Sequence, residues 1–386
     1  MAQPSLPGAL SFCISIFGTN NHFSFTDVNN RWEKMIQMAS NQNIHVLGFS
    51  SDGDPRLLKA MLYRCMVQEP VSECLWLKLG SPLGYNSTSH KHQICIQDTT
   101  YIGTKLRTRL LKPSVVLPMG RYAASLTHFQ CLIDSYSKDK HFLTKSDLNS
   151  IDKMNFRAAE KMCSDNVIEF MKSIPDTNGT VAYLSIMQFV ISAFNDHNIS
   201  IKDSIYKLWF AVFFLRKWKL WITSNKSYSC TANFISINSY HCIKINAHAI
   251  IKLVNTFKTS VLNIEKEPNN TSGLIPSMFV PWLYSSQPCE QLFRTTRSLT
   301  STFNTAVNFS IKELMNRVKR IEMLNSISND LGNSKNNEEN DIYKFPRNIK
   351  QTSMSTSVSR SLSNITSDML TSLNLNSTIN NAFDDC

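Results

Sequence analysis

The sequence predicts an α/β core interrupted by a large all-helical insertion and followed by a disordered tail. Three observations carry this. Apolar and polar runs alternate as strand, helix, strand, helix from Leu10 to Cys65. From about residue 115 to 265 the apolar spacing becomes helical. After about residue 326 the chain turns to Ser, Asn and Thr with few aromatics.

In chain order, Leu10–Phe17 reads as a buried strand, ended by Gly18-Thr19-Asn20-Asn21. Asp27 reads as an N-cap, and Trp32, Met35, Ile36 and Ala39 give 28–41 an amphipathic helical face. Ile44–Ser50 is an apolar strand running into the turn Ser51-Asp52-Gly53-Asp54-Pro55, and Arg56–Cys65 restarts a helix. Residues 70–92 carry no clear pattern. Ile94-Cys95-Ile96 reads as a strand closed by Asp98, with Thr99 or Thr100 capping the next helix. Helices are predicted over 153–172, 180–195, 203–222 and 240–258, and Glu265–Gly273 is loop-like. Pro288 suits a helix start, with Glu290 in its first turn. Ser310–Leu324 follows as a helix with Leu314, Met315, Val318 and Ile321 on one face.

Bulk features bound the function. The chain has 386 residues, 42% hydrophobic and 18% charged, which suits a folded protein of two or three domains. Forty Lys and Arg against 29 Asp and Glu leave a net charge of +11, which points to a polyanionic partner. The longest apolar run, Leu208–Leu215, falls far short of the ~20 residues of a spanning helix. Ala9–Phe17 is apolar but lacks the preceding basic residues of a signal peptide. The ten cysteines form no Cys-x-x-Cys pair, so the expectation is reduced thiols in a nuclear or cytoplasmic protein, neither secreted nor transmembrane.

Three acids stand out by position. Asp52 and Asp98 each end a strand, and Glu290 opens a helix far along the chain. Carboxylates at strand ends and on a helix packed against them suit hard cations such as Mg²⁺, which serve phosphodiester displacement. Turn and capping chemistry accounts for the same residue types, and spacing alone favours that reading.

The order of three segments adds to this. Ser51-Asp52-Gly53-Asp54 comes first. Asp98-Thr-Thr-Tyr101-Ile-Gly-Thr-Lys105-Leu-Arg107-Thr-Arg109-Leu110 follows. Gln287-Pro-Cys-Glu290-Gln-Leu-Phe293-Arg294-Thr-Thr-Arg297 comes last. Residues 10–325 thereby resemble the catalytic region of eukaryotic cut-and-paste DNA transposases of the P-element and hAT kind. The resemblance implies an incomplete RNase H-like core, with 1–114 as its first part, 115–275 as the helical insertion and 276–325 as its last part. The tail would then be 326–386. It also implies Asp52 and Glu290 as metal-binding catalytic carboxylates, vestigial here, with Mg²⁺ as cofactor where the site is intact. Asp98 and Tyr101 would be the supporting Asp-x-x-His motif, with Tyr101 in place of His. The family's first catalytic Asp would lie on a strand before Leu10–Phe17, and Met1–Ala9 contain no acid. The resemblance therefore implies an N-terminally truncated protein without nuclease or strand-joining activity, because phosphoryl transfer depends on positioning and electrostatics. An active Mg²⁺-dependent transposase and a non-enzymatic interaction scaffold are the competing readings.

Lys105, Arg107, Arg109, Lys112, Arg294 and Arg297 are the expected DNA-binding residues, with Lys312, Arg317, Lys319 and Arg320 as a further basic face. A solvated basic helix is the alternative. The aromatics Trp209, Phe210, Phe213, Phe214, Trp218 and Trp221 read as core before they read as a base-stacking platform. His241 and His248 lie seven apart with no third ligand nearby in sequence. DNA and a second copy of the chain are the expected partners.

Overall fold

The computed structural model describes residues 1–6, 9–19, 22–65, 93–266, 273–299, 310–334 and 365–386. The unpatterned stretch 70–92, most of the loop-like stretch after Glu265, and 335–364 of the expected tail lie outside the described residues.

Helix α1 (Phe25–Ser40) is capped by Ser24, one turn earlier than the sequence suggested. Ser24 Oγ accepts from the Asp27 N–H at 3.2 Å, and the Asp27 carboxylate accepts from the Ser24 N–H at 2.7 Å. Asp27 is thus the returning half of a capping box. Val28 and Trp32 form the buried face of α1, and Trp32 stacks on Phe49 with ring centres 4.6 Å apart. Phe49 belongs to β1 (Gly48–Ser51), which begins four residues later than expected and leaves Ile44 exposed. Pro55 opens α2 (Pro55–Cys65), whose first N–H groups donate to Asp54.

β2 (Ile94–Gln97) pairs parallel with β1, from Gly48 opposite Ile94 to Ser51 opposite Gln97. The Ile94 N–H donates to Leu47 O and the Asp98 N–H to Ser51 O. In a parallel ladder alternate residues serve the same neighbour. Gly48 and Ser50 therefore turn their peptide groups away from β2, where no backbone hydrogen bond meets them among the described residues. The far side of β2 is different. Asn246 donates to Gln97 O at 2.8 Å and accepts from Gln97 N–H at 2.7 Å, so a side-chain amide takes the place of a further strand at Gln97.

Leu10–Phe17 is not a buried strand. Its backbone pairing is a single antiparallel bridge between Ala2 and Phe12. Leu10, Phe12, Ile14 and Phe17 are all exposed. An alternating pattern reads as a strand from sequence, but it needs a partner on its apolar face to become one.

α3 (Thr99–Leu110) follows β2, and Asp98, not a threonine, is its cap. A hairpin of β3 (Leu117–Met119) and β4 (Tyr122–Ala124) comes next, turning at Gly120 with φ +63°. It lies in a region that read as purely helical. Then come α4 (Leu126–Ser135), α5 (Lys138–His141), α6 (Phe156–Met162) and α7 (Asp165–Lys172), the last two replacing the single helix expected over 153–172. Longer helices follow: α8 (Asn178–Asn195), α9 (Ile201–Ser224), a single turn α10 (Cys230–Asn233), and the 30-residue α11 (Ile237–Lys266). Trp209, Phe213 and Trp218 of α9 are buried between these helices, which settles them as core and not as a stacking platform. Each such burial contributes roughly 2–3 kcal/mol. The Trp218 indole donates to Pro118 O at 2.7 Å and so ties the hairpin to α9. α11 crosses β2 as well as α9, so strands and helices share one apolar core.

α12 (Gln287–Ser298) and α13 (Ile311–Ser334) complete the order expected after residue 276. Val318 and Ile321 of α13 are buried, whereas Met315 is exposed. The disordered-tail expectation is overturned at both described ends. α13 runs on to Ser334, and α14 (Ser367–Thr371) and α15 (Leu375–Asp384) pack against α11 and α9. Leu370, Ile379 and Ala382 are fully buried, and Phe383 meets Phe213 edge-on at 5.2 Å. Ile379→Ala is therefore expected to cost about 2–4 kcal/mol by cavity formation. An unchanged urea midpoint would show that the last helix is not part of the core.

Candidate functional site

β1 and β2 end side by side, and that fixes the site. Asp52 follows Ser51 and Asp98 follows Gln97, its strand neighbour. Asp52 is half-buried, and its Oδ1 accepts from the Asp54 N–H at 3.3 Å, a turn interaction. Asp98 is 1% exposed. One of its oxygens caps α3 through the Thr100 N–H at 2.8 Å. The other accepts from the Ser286 N–H at 3.1 Å, the Ser286 hydroxyl at 2.6 Å and the Gln287 amide at 3.2 Å. Asp98 thus pins the start of α12 to the end of the sheet.

Glu290 lies in the first turn of α12, just beyond those anchored residues. It is exposed. Partial desolvation, then the charges of Asp98 and Asp52, hold its carboxyl above the ordinary range. The structure therefore brings Asp52, Asp98 and Glu290 into one electrostatic neighbourhood across nearly the whole chain. Asp98 differs from the other two, because both its oxygens are engaged.

Tyr101 closes the side of the site. Its ring lies against Gly53, where any Cβ would collide with it, so glycine is required for this approach. The hydroxyl reaches Gly53 O at 3.5 Å, and Lys105 Nζ lies 4.7 Å from the ring centre. Burial, then Cys242, Asp52 and Asp54, push the phenol up to about 12, so it stays protonated at neutral pH. Tyr101 is a wedge between the Asp52 turn and α3.

The expected basic residues divide. Arg107 does not face a phosphate: it is fully buried, and its guanidinium donates to Asp147 O, Asn149 O and Asp152 O. Arg109 is likewise committed, donating to Phe234 O at 2.7 Å and Thr231 O at 2.6 Å. Both read as surface cations from sequence because the carbonyls they serve are remote in the chain. Lys112, Arg294 and Arg297 are exposed, as are Lys312, Lys319 and Arg320. Arg317 joins α13 to α12 by donating to Thr296 O at 2.9 Å. His248 is buried against Trp209, with ring centres 5.1 Å apart, and burial pushes its pKa down to about 3, so it is a neutral core residue.

The bonds of Ser286 and Gln287 to Asp98 escaped the sequence reading, as did the Asn246–Gln97 pairing. Ser286 stands directly before the Gln287-Pro288 helix start, which was the available signal.

Among the described residues no three His, Cys, Asp or Glu side chains group to hold a metal ion. The remaining carboxylates of the neighbourhood are Asp52, one of whose oxygens accepts from the Asp54 N–H, and Glu290, hard donors of the kind Mg²⁺ takes, usually one or two at a time beside water and phosphate. No helix among the described residues is long and apolar enough to cross a membrane.

No family profile and no curated protein sequence matches the chain. Its fold is similar to that in the Drosophila P element transposase strand transfer complex, with a TM-score of 0.52 at 12% identity, over 78% of this chain. The match spans 64% of that protein's length, and at such low identity the likeness is one of fold: the chain is built like a transposase.

Proposed function

We propose that this chain is a transposon-derived protein with an RNase H-like transposase core that binds DNA without cleaving it. One observation carries the reading. In a chain of transposase-like fold, Asp52 follows one strand of a parallel pair, and Glu290 rides on an α12 whose start Asp98 holds in place. Mg²⁺ suits these two carboxylates, and bound there it would neutralise phosphate charge. With Asp98 committed to structure, the described residues lack a third carboxylate to bridge two ions, and in-line displacement needs that clamp. DNA binding rests on the net charge of +11 and on exposed Lys112, Arg294 and Arg297, with Lys105 at the edge of the site.

Anisotropy with a DNA duplex, at two or more salt concentrations, tests this. Affinity is expected to fall steeply with salt, and Arg294→Ala and Lys112→Ala should each weaken binding and reduce the salt slope by about 1. No Mg²⁺-dependent nicking is expected. Nicking that disappears in Glu290→Gln would replace this reading with an active nuclease. Affinity unchanged across Lys105→Ala, Lys112→Ala and Arg294→Ala would replace it with a protein-interaction scaffold.

A further inference from the structure

A second concentration of titratable groups lies where α9 passes the start of α11, apart from the carboxylate site. Arg216 and Lys219 stand one turn apart on α9. Tyr240, His241 and Lys244 stand on the first two turns of α11. Two ammonium groups, one from each helix, share the Tyr240 ring: Lys219 Nζ lies 5.1 Å and Lys244 Nζ 5.5 Å from its centre. The His241 ring centre is 5.8 Å from the same ring. Lys244 is only 7% exposed, and Arg216, Lys219 and His241 are half-buried.

The cluster has no counter-charge among the described residues. Among the described residues no carboxylate forms an ion pair with Arg216, Lys219 or Lys244. His241 Nδ1 is buried with no hydrogen-bond partner among them. The basic groups act on one another. Burial, then Arg216 and Lys219, push Lys244 down to about 8, and burial, then Lys244 and Lys219, lower His241. A solvated basic face would leave its ammonium groups in water. Here one ammonium is taken out of water beside three other basic groups, an arrangement that costs folding free energy until an anion joins it.

We propose that the α9–α11 junction is a binding site for a phosphate group. Arg216 offers a planar fork that matches two phosphate oxygens, and Lys219 and Lys244 supply point charges from opposite helices. His241 Nδ1, protonated, would donate to a third oxygen, and the Tyr240 ring forms the floor. A tetrahedral anion meets donors arriving from several directions, which a single carboxylate cannot satisfy equally. The phosphate belongs either to a small free anion or to a nucleic-acid strand.

The full-length chain is tested by thermal unfolding in inorganic pyrophosphate against sodium chloride at matched ionic strength, at pH 7, and by anisotropy with a DNA duplex. Pyrophosphate is expected to raise the midpoint saturably, and Lys244→Met and Arg216→Gln to raise the half-saturating concentration at least tenfold. Lys244→Met replaces a buried cation by an apolar side chain of similar length and is expected to fold. Arg216→Gln, at a half-exposed position, gives the same reading independently. Loss of the pyrophosphate response with unchanged DNA affinity assigns the site to a small phosphate. DNA affinity reduced in the same variants assigns it to a nucleic-acid strand. Equal pyrophosphate response in wild type and both variants, or no saturable response together with unchanged DNA affinity, overturns the proposal.

Discussion

Arg107→Met is expected to lower stability by about 3–5 kcal/mol, the summed effect of losing charge-assisted hydrogen bonds to three carbonyls. The guanidinium is fully buried on α3, with Nη1 donating to Asp152 O at 2.6 Å and Nη2 to Asp147 O at 2.7 Å and Asn149 O at 3.0 Å. These carbonyls belong to the connection between α5 and α6, where the Asp147 carboxylate also meets Lys161 at 3.2 Å. Burial lowers the Arg107 pKa, and Asp152 and Asp147 oppose that shift, so the cation keeps its charge. Arg107→Lys is expected to recover little, since an ammonium lacks the fork that reaches three acceptors. Urea unfolding measures the loss. The folded fraction of the Met variant should bind DNA as the wild type does. A variant of normal stability with weakened DNA binding would return Arg107 to the role its sequence context suggested.

Asp98→Ala is the second large effect, about 3 kcal/mol, because it strands several buried donors and removes a helix cap at once. Its consequences are not confined to stability. Ser286 and Gln287 lose the acceptor that fixes the start of α12, so amide exchange over 286–290 is expected to quicken more than exchange elsewhere. Asp98→Asn has one oxygen: given to the Thr100 N–H, it turns an amide NH₂, itself a donor, toward the Ser286 donors, and given to Ser286 it leaves the Thr100 N–H uncapped. It also removes one of the charges that raise Glu290. Glu290 should then titrate closer to the ordinary glutamate value, observed at its carboxyl carbon by NMR. The sign follows from a raised folded-state pKa: the penalty on Glu290 is absent at low pH, where the group is protonated, and grows as pH rises through its folded pKa. Unaltered exchange at 286–290 in Asp98→Ala would show that α12 is held by other contacts.

Much of the site was legible because its parts are local. Asp52 and Asp98 close apolar runs, and Glu290 follows a Gln-Pro helix start; each is a short-range signal. What joins them is not local. Ser286 and Asp98 are 188 positions apart, and no periodicity reports such a bond. Arg107 and Arg109 sit in a helix with alternating cations that looks solvated, and only the arrival of distant carbonyls makes them structural. Leu10–Phe17 misled in the opposite direction, since alternation without a facing partner does not make a strand. The tail misled through composition: Ser and Asn dominate it, while Ile379, Ala382 and Phe383 keep the spacing of a helix that docks.

Asn246 has a consequence for how the strand pair can grow. By imitating a peptide unit it occupies the margin at Gln97, and α11, which packs along β2, stands behind it. On the opposite margin, no backbone hydrogen bond among the described residues meets the two donors and two acceptors of Gly48 and Ser50. Among the described residues, an extended polypeptide that widens this sheet would thus dock along β1, on the side away from α11.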